Sequence, residues 1–304
     1  MSTSEVRVRV PGSTSNLGSG FDTLGLAVRL YQSVELNHSD RDGINLVEAP
    51  ENSNHATGER LVREAAASFF QATGRSAFGM DVRLGGDLPV GRGLGASAAA
   101  RVGVLAGLNE LCRAGLSRMQ LLELATELEG HPDNASPALL GGFTVSGKVN
   151  GRIVCQRYEV SPQLCCVTLI PHFEISTVEA RRLLPSHYLR PDAAHALNRA
   201  ALVTAAFANS TYENLSGLFD DRFHQPYREA LIPKLSAVIK AGVGAGAIGG
   251  FLSGSGSAIV CLTLRNSEQV AEAMSRELPE SDIKLLYPDK DGAKCETGFT
   301  GCTG

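Results

Sequence analysis

An α+β fold is predicted by two features of the sequence: short strand-like runs, and helical patterns that interrupt them without strict βαβα alternation. The runs "VRVRV" at 6–10, "SVELN" at 33–37, "INLVE" at 44–48 and "GMDVRL" at 79–84 read as strands bounded by turn residues. Helical spacing of apolar residues marks 58–74, ending at Gly74, and 97–115, ending at Gly115. A third helix follows over 117–130, where Ser117 and Gln120 have the spacing of a capping box. In the second half a buried strand is expected at 165–173, a helix from Ser176 to Pro185, and an alanine-rich helix at 192–209. A helix over 226–242, a strand at 256–264, a helix at 267–279 and a last strand at 282–288 complete the pattern, with a loose tail at 292–304. A soft boundary near 155 divides the chain into 1–155 and 156–304, and no internal repeat is present.

At 304 residues the chain can bury a sizeable core, and 43% hydrophobic with 20% charged residues is the composition of a globular protein. A net charge of only -4 carries no polyanion-binding signature, so nucleic acid is not an expected partner. The N-terminus lacks an apolar targeting core, and no run approaches the ~18 apolar residues of a membrane span. A cytoplasmic protein with no membrane partner is expected. Seven cysteines lie scattered, without CxxC pairs or nearby histidines at metal spacing, and read as free thiols, mostly buried.

Three glycine-rich segments stand out, at 12–22, 88–100 and 242–258. In the middle one, Gly91, Gly93 and Gly95 run into a strong helix former. Free N–H groups at that helix start, beside backbone that can approach closely, would cradle an anion. A plain turn before a helix is the other reading of the same residues. No GxxxxGK[ST] occurs and no lysine follows the glycines, so this is not the usual P-loop. Gly244, Gly246 and Gly249 fit GxGxxG, but a helix rather than a strand precedes them, which argues against a dinucleotide site. The segment "EGHPDN" at 129–134 is unusually polar for a stretch followed at once by "ASPALLGGF". Its His131, Asp133 and Asn134 either close a helix and turn or face a substrate.

The three glycine segments occur in the order and spacing of the signature motifs of the GHMP kinases, and within that superfamily the chain most resembles the homoserine kinase family. The resemblance rests on "STSNLGSGFDTLGLA" at 13–27, "LPVGRGLGASAAA" at 88–100, "EGHPDNASPALLGG" at 129–142, "STVEARRLLP" at 176–185, "QPYREALIP" at 225–233 and "GFLSGSGSAIV" at 250–260. It implies an N-terminal ATP-binding domain like ribosomal protein S5, with a left-handed crossover, and a ferredoxin-like C-terminal domain. It also implies transfer of the ATP γ-phosphoryl group to the side-chain hydroxyl of L-homoserine, a step of threonine biosynthesis. Dimers are common in that family, so a homodimer is expected by analogy.

Residue by residue, the resemblance gives ATP the loop Pro89, Val90, Gly91, Arg92, Gly93, Leu94, Gly95, Ala96, Ser97, Ala98 and Ala99. It gives Mg²⁺ the Ser97 hydroxyl and Glu123. It gives the amino acid Asn16, Asp22, His131, Asn134, Arg181 and Arg228, with Asp22 on the ammonium and the arginine forks on the carboxylate. Asn134 and Arg181 are the expected catalytic pair. Because an amide cannot accept a proton, Asn134 would orient the hydroxyl without a strong protein base; the rival is Asp133 as base. Arg182 is expected to be solvated. Departures are modest: Ala96 replaces a loop serine, and Ser257 stands where a proline is usual. No adenine contact is legible. A GHMP kinase with another acceptor, or a non-catalytic ligand sensor on the same fold, are the alternatives.

Overall fold

The computed structural model describes residues 5–50 and 54–297. Two sheets organise the chain. The first contains β1 (Glu5–Ser15), β2 (Leu24–His38), β3 (Ile44–Glu48) and β4 (Met80–Gly86), in the order β1-β2-β4-β3. β5 (Phe143–Val149) pairs with the start of β2, and β6 (Arg152–Tyr158) pairs with β5. All these pairings are antiparallel except β3 with β4, which are parallel and joined through α1 (His55–Thr73). The expected tail at 292–304 contributes β11 (Lys294–Thr297), which pairs with β1 and so returns the chain to the first sheet; residues 298–304 lie outside the described part.

α2 (Ala96–Leu111) lies close on this sheet because it turns two glycines, Gly103 and Gly107, toward β2. A Cβ on Gly103 would sit 2.4 Å from a Val34 methyl, and one on Gly107 would sit 2.3 Å from a Leu36 methyl. The helix is apolar all round and buried along most of its length, with α1 and α3 (Arg118–Glu129) beside it. α3 opens on the expected capping box between Ser117 and Gln120 and closes at Gly130, whose φ is 85°. α4 (Ala135–Leu140) follows the HPDN turn at once. This packing fixes the start of α2 and the end of α3 on one rim of the sheet.

The second sheet has the order β10-β7-β9-β8, from β7 (Cys165–Pro171), β8 (Gly249–Leu252), β9 (Ile259–Thr263) and β10 (Ser281–Leu286), all antiparallel. α8 (Leu235–Gly244) joins β7's side of the chain to β8, and α9 (Ser267–Glu277) joins β9 to β10. Counted along the chain, the order is 4-1-3-2 with two crossover helices, which is the ferredoxin-like arrangement. Val167, Leu169, Val238, Ile259, Val270 and Met274 fill the space between this sheet and its helices. Inserted after β7 are α5 (Thr177–Arg182), α6 (Arg190–Ala208) and the short α7 (Gln225–Arg228).

Two expectations are corrected. The single helix over 226–242 is broken: α7 ends at Arg228, a 3₁₀ turn covers Glu229–Leu231, and Lys234 takes a left-handed φ of 60° before α8. Pro233 explains the break, since its ring excludes α geometry from Ile232, whose ψ is 93°. The tail carries β11, as above. β6 spans residue 155 and ends at Tyr158. The described cysteines are all free thiols.

Candidate active site

A cleft of about 780 Å³ opens where the two sheets meet, lined by the loop after β1, the glycine loop before α2, the end of α3, the HPDN turn and α5. Each part has a local reason for its shape. β1 ends at Ser15, and Asn16, Leu17 and Gly18 then take positive φ of 70°, 46° and 75°. Non-glycine residues in that region are strained and need surrounding support. The support is visible: Asn16 N–H donates to the Leu24 carbonyl at 2.8 Å, and Asn16 Oδ1 accepts from Asp22 N–H at 3.1 Å. The turn aims Asn16 and Asp22 into the cleft.

In the glycine loop Gly91, Gly93 and Gly95 have φ of 69°, 73° and 76°. A Cβ on Gly93 would lie 2.2 Å from the Ser253 carbonyl oxygen, so the loop is packed against the third glycine segment with no room for a side chain. Ser253 Oγ binds the Gly93 carbonyl at 2.7 Å and Thr14 Oγ1 at 2.8 Å, tying the two loops to β1. Gly95 caps α2 without a side-chain acceptor, and no acid sits in the first turn. The α2 N-terminus therefore presents free N–H groups and the positive end of its dipole to the cleft. Of the eleven loop residues expected there, Val90 to Gly93 and Gly95 to Ala98 line the cleft. Pro89, Leu94 and Ala99 do not; Leu94 and Ala99 are core residues.

Ser97 Oγ donates to Glu129 Oε1 at 2.7 Å. Glu123, the carboxylate expected beside Ser97, is absent from the cleft lining, whereas Glu129 is part of it. The two acids lie six positions apart on α3, about 600° of rotation, so their side chains leave the helix about 120° apart. The signal was in the sequence: Glu129 is the first residue of "EGHPDN", where the helix ends on the cleft rim. A hydroxyl beside a carboxylate is an oxygen donor set that fits Mg²⁺ with nucleotide phosphates and water completing its shell.

The side of the cleft lined by Asp22, Arg181 and Arg228 is dense in charge. Arg181 grips Asp22 through both forks, Nη1 to Oδ2 at 3.0 Å and Nη2 to Oδ1 at 2.6 Å. Arg228 is almost fully buried; its Nη1 donates to the Gly254 carbonyl at 2.8 Å, and Nη1 lies 3.3 Å from His224 Nδ1. Burial first and the nearby Arg181 charge second bring Arg228 down to about 10. The Phe21 ring lies beside both guanidinium groups, 5.2 Å from Arg181 and 5.3 Å from Arg228. Arg182, by contrast, is exposed and does not line the cleft.

The HPDN turn supplies a coupled pair and a fixed amide. His131 Nδ1 contacts Asp133 Oδ1, and Asp133 is buried. Burial opposes ionisation of both, but their mutual contact outweighs it, so Asp133 is held below its ordinary value and His131 above. Asn134 Oδ1 accepts from Ser13 Oγ at 2.9 Å and its Nδ2 donates to Ser15 Oγ at 3.0 Å. Two serines of β1 thus set the plane of the amide and leave one of its N–H groups over. Ser13, Ser15, Phe21, Arg101 and Glu129 were not among the expected site residues. The alternation of β1 continues through "GSTS", and that would have pointed Ser13 and Ser15 to one face.

Free N–H groups at a helix start, oxygen donors beside them, and acidic and basic side chains next to both are the chemistry of a small-molecule phosphotransferase. The family model described as GHMP kinases N terminal domain matches residues 60–142, and that described as GHMP kinases C terminal matches 203–280. The homoserine kinase of Moorella thermoacetica is 36% identical over 291 residues, covering 96% of this chain and 98% of the relative. That of Desulfitobacterium hafniense is 36% identical over 293 residues, covering 95% and 99%. The crystal structure of homoserine kinase from Cytophaga hutchinsonii superimposes with a TM-score of 0.88 at 26% identity, over 97% of this chain and 98% of that one. The chain belongs to the GHMP kinases and, within them, to the homoserine kinase family, whose members are ATP-dependent small-molecule kinases.

Proposed function

We propose that the protein phosphorylates the side-chain hydroxyl of L-homoserine with ATP, giving O-phospho-L-homoserine and ADP. The observation that carries this reading is the placement of Asp22, Arg181 and Arg228 in one cleft with the α2 N-terminus. An acceptor with a carboxylate and an ammonium group matches a guanidinium pair and a carboxylate better than a neutral sugar or a simple hydroxy acid does. Bound this way, the amino acid would face Arg228 and Arg181 with its carboxylate and Asp22 with its ammonium group, with Asn16 as a further polar contact.

Phosphoryl transfer needs positioning and charge neutralisation more than covalent help. The glycine loop and α2 N–H groups would hold the nucleotide phosphates. Ser97 and Glu129 would hold Mg²⁺, whose charge offsets that of the β- and γ-phosphates when it is bound. Asn134, its plane set by Ser13 and Ser15, would orient the acceptor hydroxyl through its remaining N–H. Asp133 is a poor candidate base: its carboxyl is held below the ordinary range and engaged with His131, so its affinity for a hydroxyl proton is low. The proton would leave through phosphate or water. Phosphorus-31 NMR of protein with Mg-ATP and homoserine tests this. A phosphate monoester growing in step with ADP is expected, and release of inorganic phosphate alone would overturn it.

The N-terminal unit would carry the nucleotide and the C-terminal unit the amino-acid arginines, with residues up to about 155 in the first and β11 returned to it. No described helix is long and apolar enough to cross a membrane. A cytoplasmic setting and a homodimer, without nucleic acid or membrane partners, are consistent with a biosynthetic kinase.

A further inference from the structure

The phosphate side of the cleft contains a cation that neither the motif nor the resemblance called for. Arg101, one turn into α2 beyond Ser97, has a side chain only 9% exposed. Its Nη1 donates to Ser97 Oγ at 3.2 Å and to Glu129 Oε1, while its Nη2 donates to Glu64 Oε2 of α1 at 2.9 Å. Its Nε is buried without a partner. The two oxygens that fit a divalent cation, Ser97 Oγ and Glu129 Oε1, are thus the two that Nη1 of this guanidinium engages.

We propose that Arg101 is a resident counter-cation of the metal pair, which keeps a bare divalent ion out and admits it only together with nucleotide phosphates. A bare ion would meet one carboxylate that already has a buried positive partner, plus one hydroxyl, and would displace Nη1 for little electrostatic gain. Nucleotide changes the balance. Phosphate oxygens complete the metal's shell and add negative charge that the metal and Arg101 can share. Glu64 is the fallback: as Nη1 yields Glu129, Nη2 stays anchored on α1 and the guanidinium is not left unpaired. Arg101 is a positioning residue in this account, acting through Glu129 and Ser97, and the inference rests on the reading of those two as the metal pair.

The test uses the full chain and Mn²⁺ without nucleotide, read by electron paramagnetic resonance, together with the Mg²⁺ concentration needed for half-maximal ADP binding by calorimetry. R101M is expected to bind bare Mn²⁺ at least roughly tenfold more tightly than the unaltered protein. E64Q, which leaves Arg101 to Glu129 alone, is expected to move the other way and to raise the Mg²⁺ needed for ADP binding about threefold. That second variant decides the matter if R101M does not fold. Unchanged or weaker Mn²⁺ binding by R101M, or an unchanged or lower Mg²⁺ requirement in E64Q, would overturn the role of Arg101. E129Q separates the two levels: a Mg²⁺ requirement equal to that of the unaltered protein would remove the metal pair itself and this inference with it.

Discussion

Arg181 and Asp22, 159 positions apart in the chain, close on each other through two hydrogen bonds of 3.0 and 2.6 Å across the cleft. The groups read as partners for opposite ends of one zwitterion therefore satisfy each other before it binds. About a third of each side chain remains exposed, so the pair stabilises the fold by ~1 kcal/mol or less and opens at small cost.

R181M and D22N should each raise the KM for homoserine by roughly 10- to 150-fold, the value of one charge-assisted hydrogen bond of about 1.5–3 kcal/mol. The double variant should lose less than the product of the two, because each single change leaves the other charge without a partner. Steady-state kinetics of the four proteins measures the coupling; full additivity would separate the two residues functionally.

Asn134 and Asp133 divide differently between binding and turnover. N134A should lower kcat about 10²- to 10³-fold with little change in KM, as expected for an oriented donor that acts at the reacting group. D133N should keep most of its kcat. If D133N instead lost several orders of magnitude while still binding homoserine, the carboxylate would be the base.

At the metal pair, E123Q should leave the Mg²⁺ dependence of turnover unchanged, while S97A and E129Q should both raise the Mg²⁺ needed. Equal effects of E123Q and E129Q would contradict the geometry of α3.

The His131–Asp133 contact gives stability a pH dependence. Asp133 lies below its ordinary 3.8, so its contribution is present above that value and is lost as pH falls through the lowered one. His131 lies above its ordinary 6.5, so its contribution is complete below that value and fades as pH rises through the raised one. The thermal stability of the unaltered protein should exceed that of H131Q by a margin that narrows as pH rises above 6.5. A margin independent of pH would show that the imidazole acts through packing alone.

Much of the fold was legible where local pattern and tertiary setting agree. β3 matches its run, and α3 has its capping box. β2 is ten residues longer than "SVELN" because its first half is defined by pairing with β1 and β5, which periodicity does not reveal. The hairpin of β5 and β6 went unread although Asn150 and Gly151, with φ of 51° and 81°, are the turn pair that signals one. In the site, the motif residues converge in one cleft, and the acid of α3 that lines it beside Ser97 is Glu129 rather than Glu123. Arg101 was invisible because a lone arginine in a buried helix signals nothing until the carboxylates around it are placed.

The most direct measurement is ADP release with Mg-ATP against homoserine, serine, threonine, mevalonate and galactose, with a blank lacking acceptor. The account predicts turnover with homoserine well above the other four. Rates equal to the blank for every acceptor, with ATP still bound, would contradict it and leave a ligand-binding protein on a kinase fold.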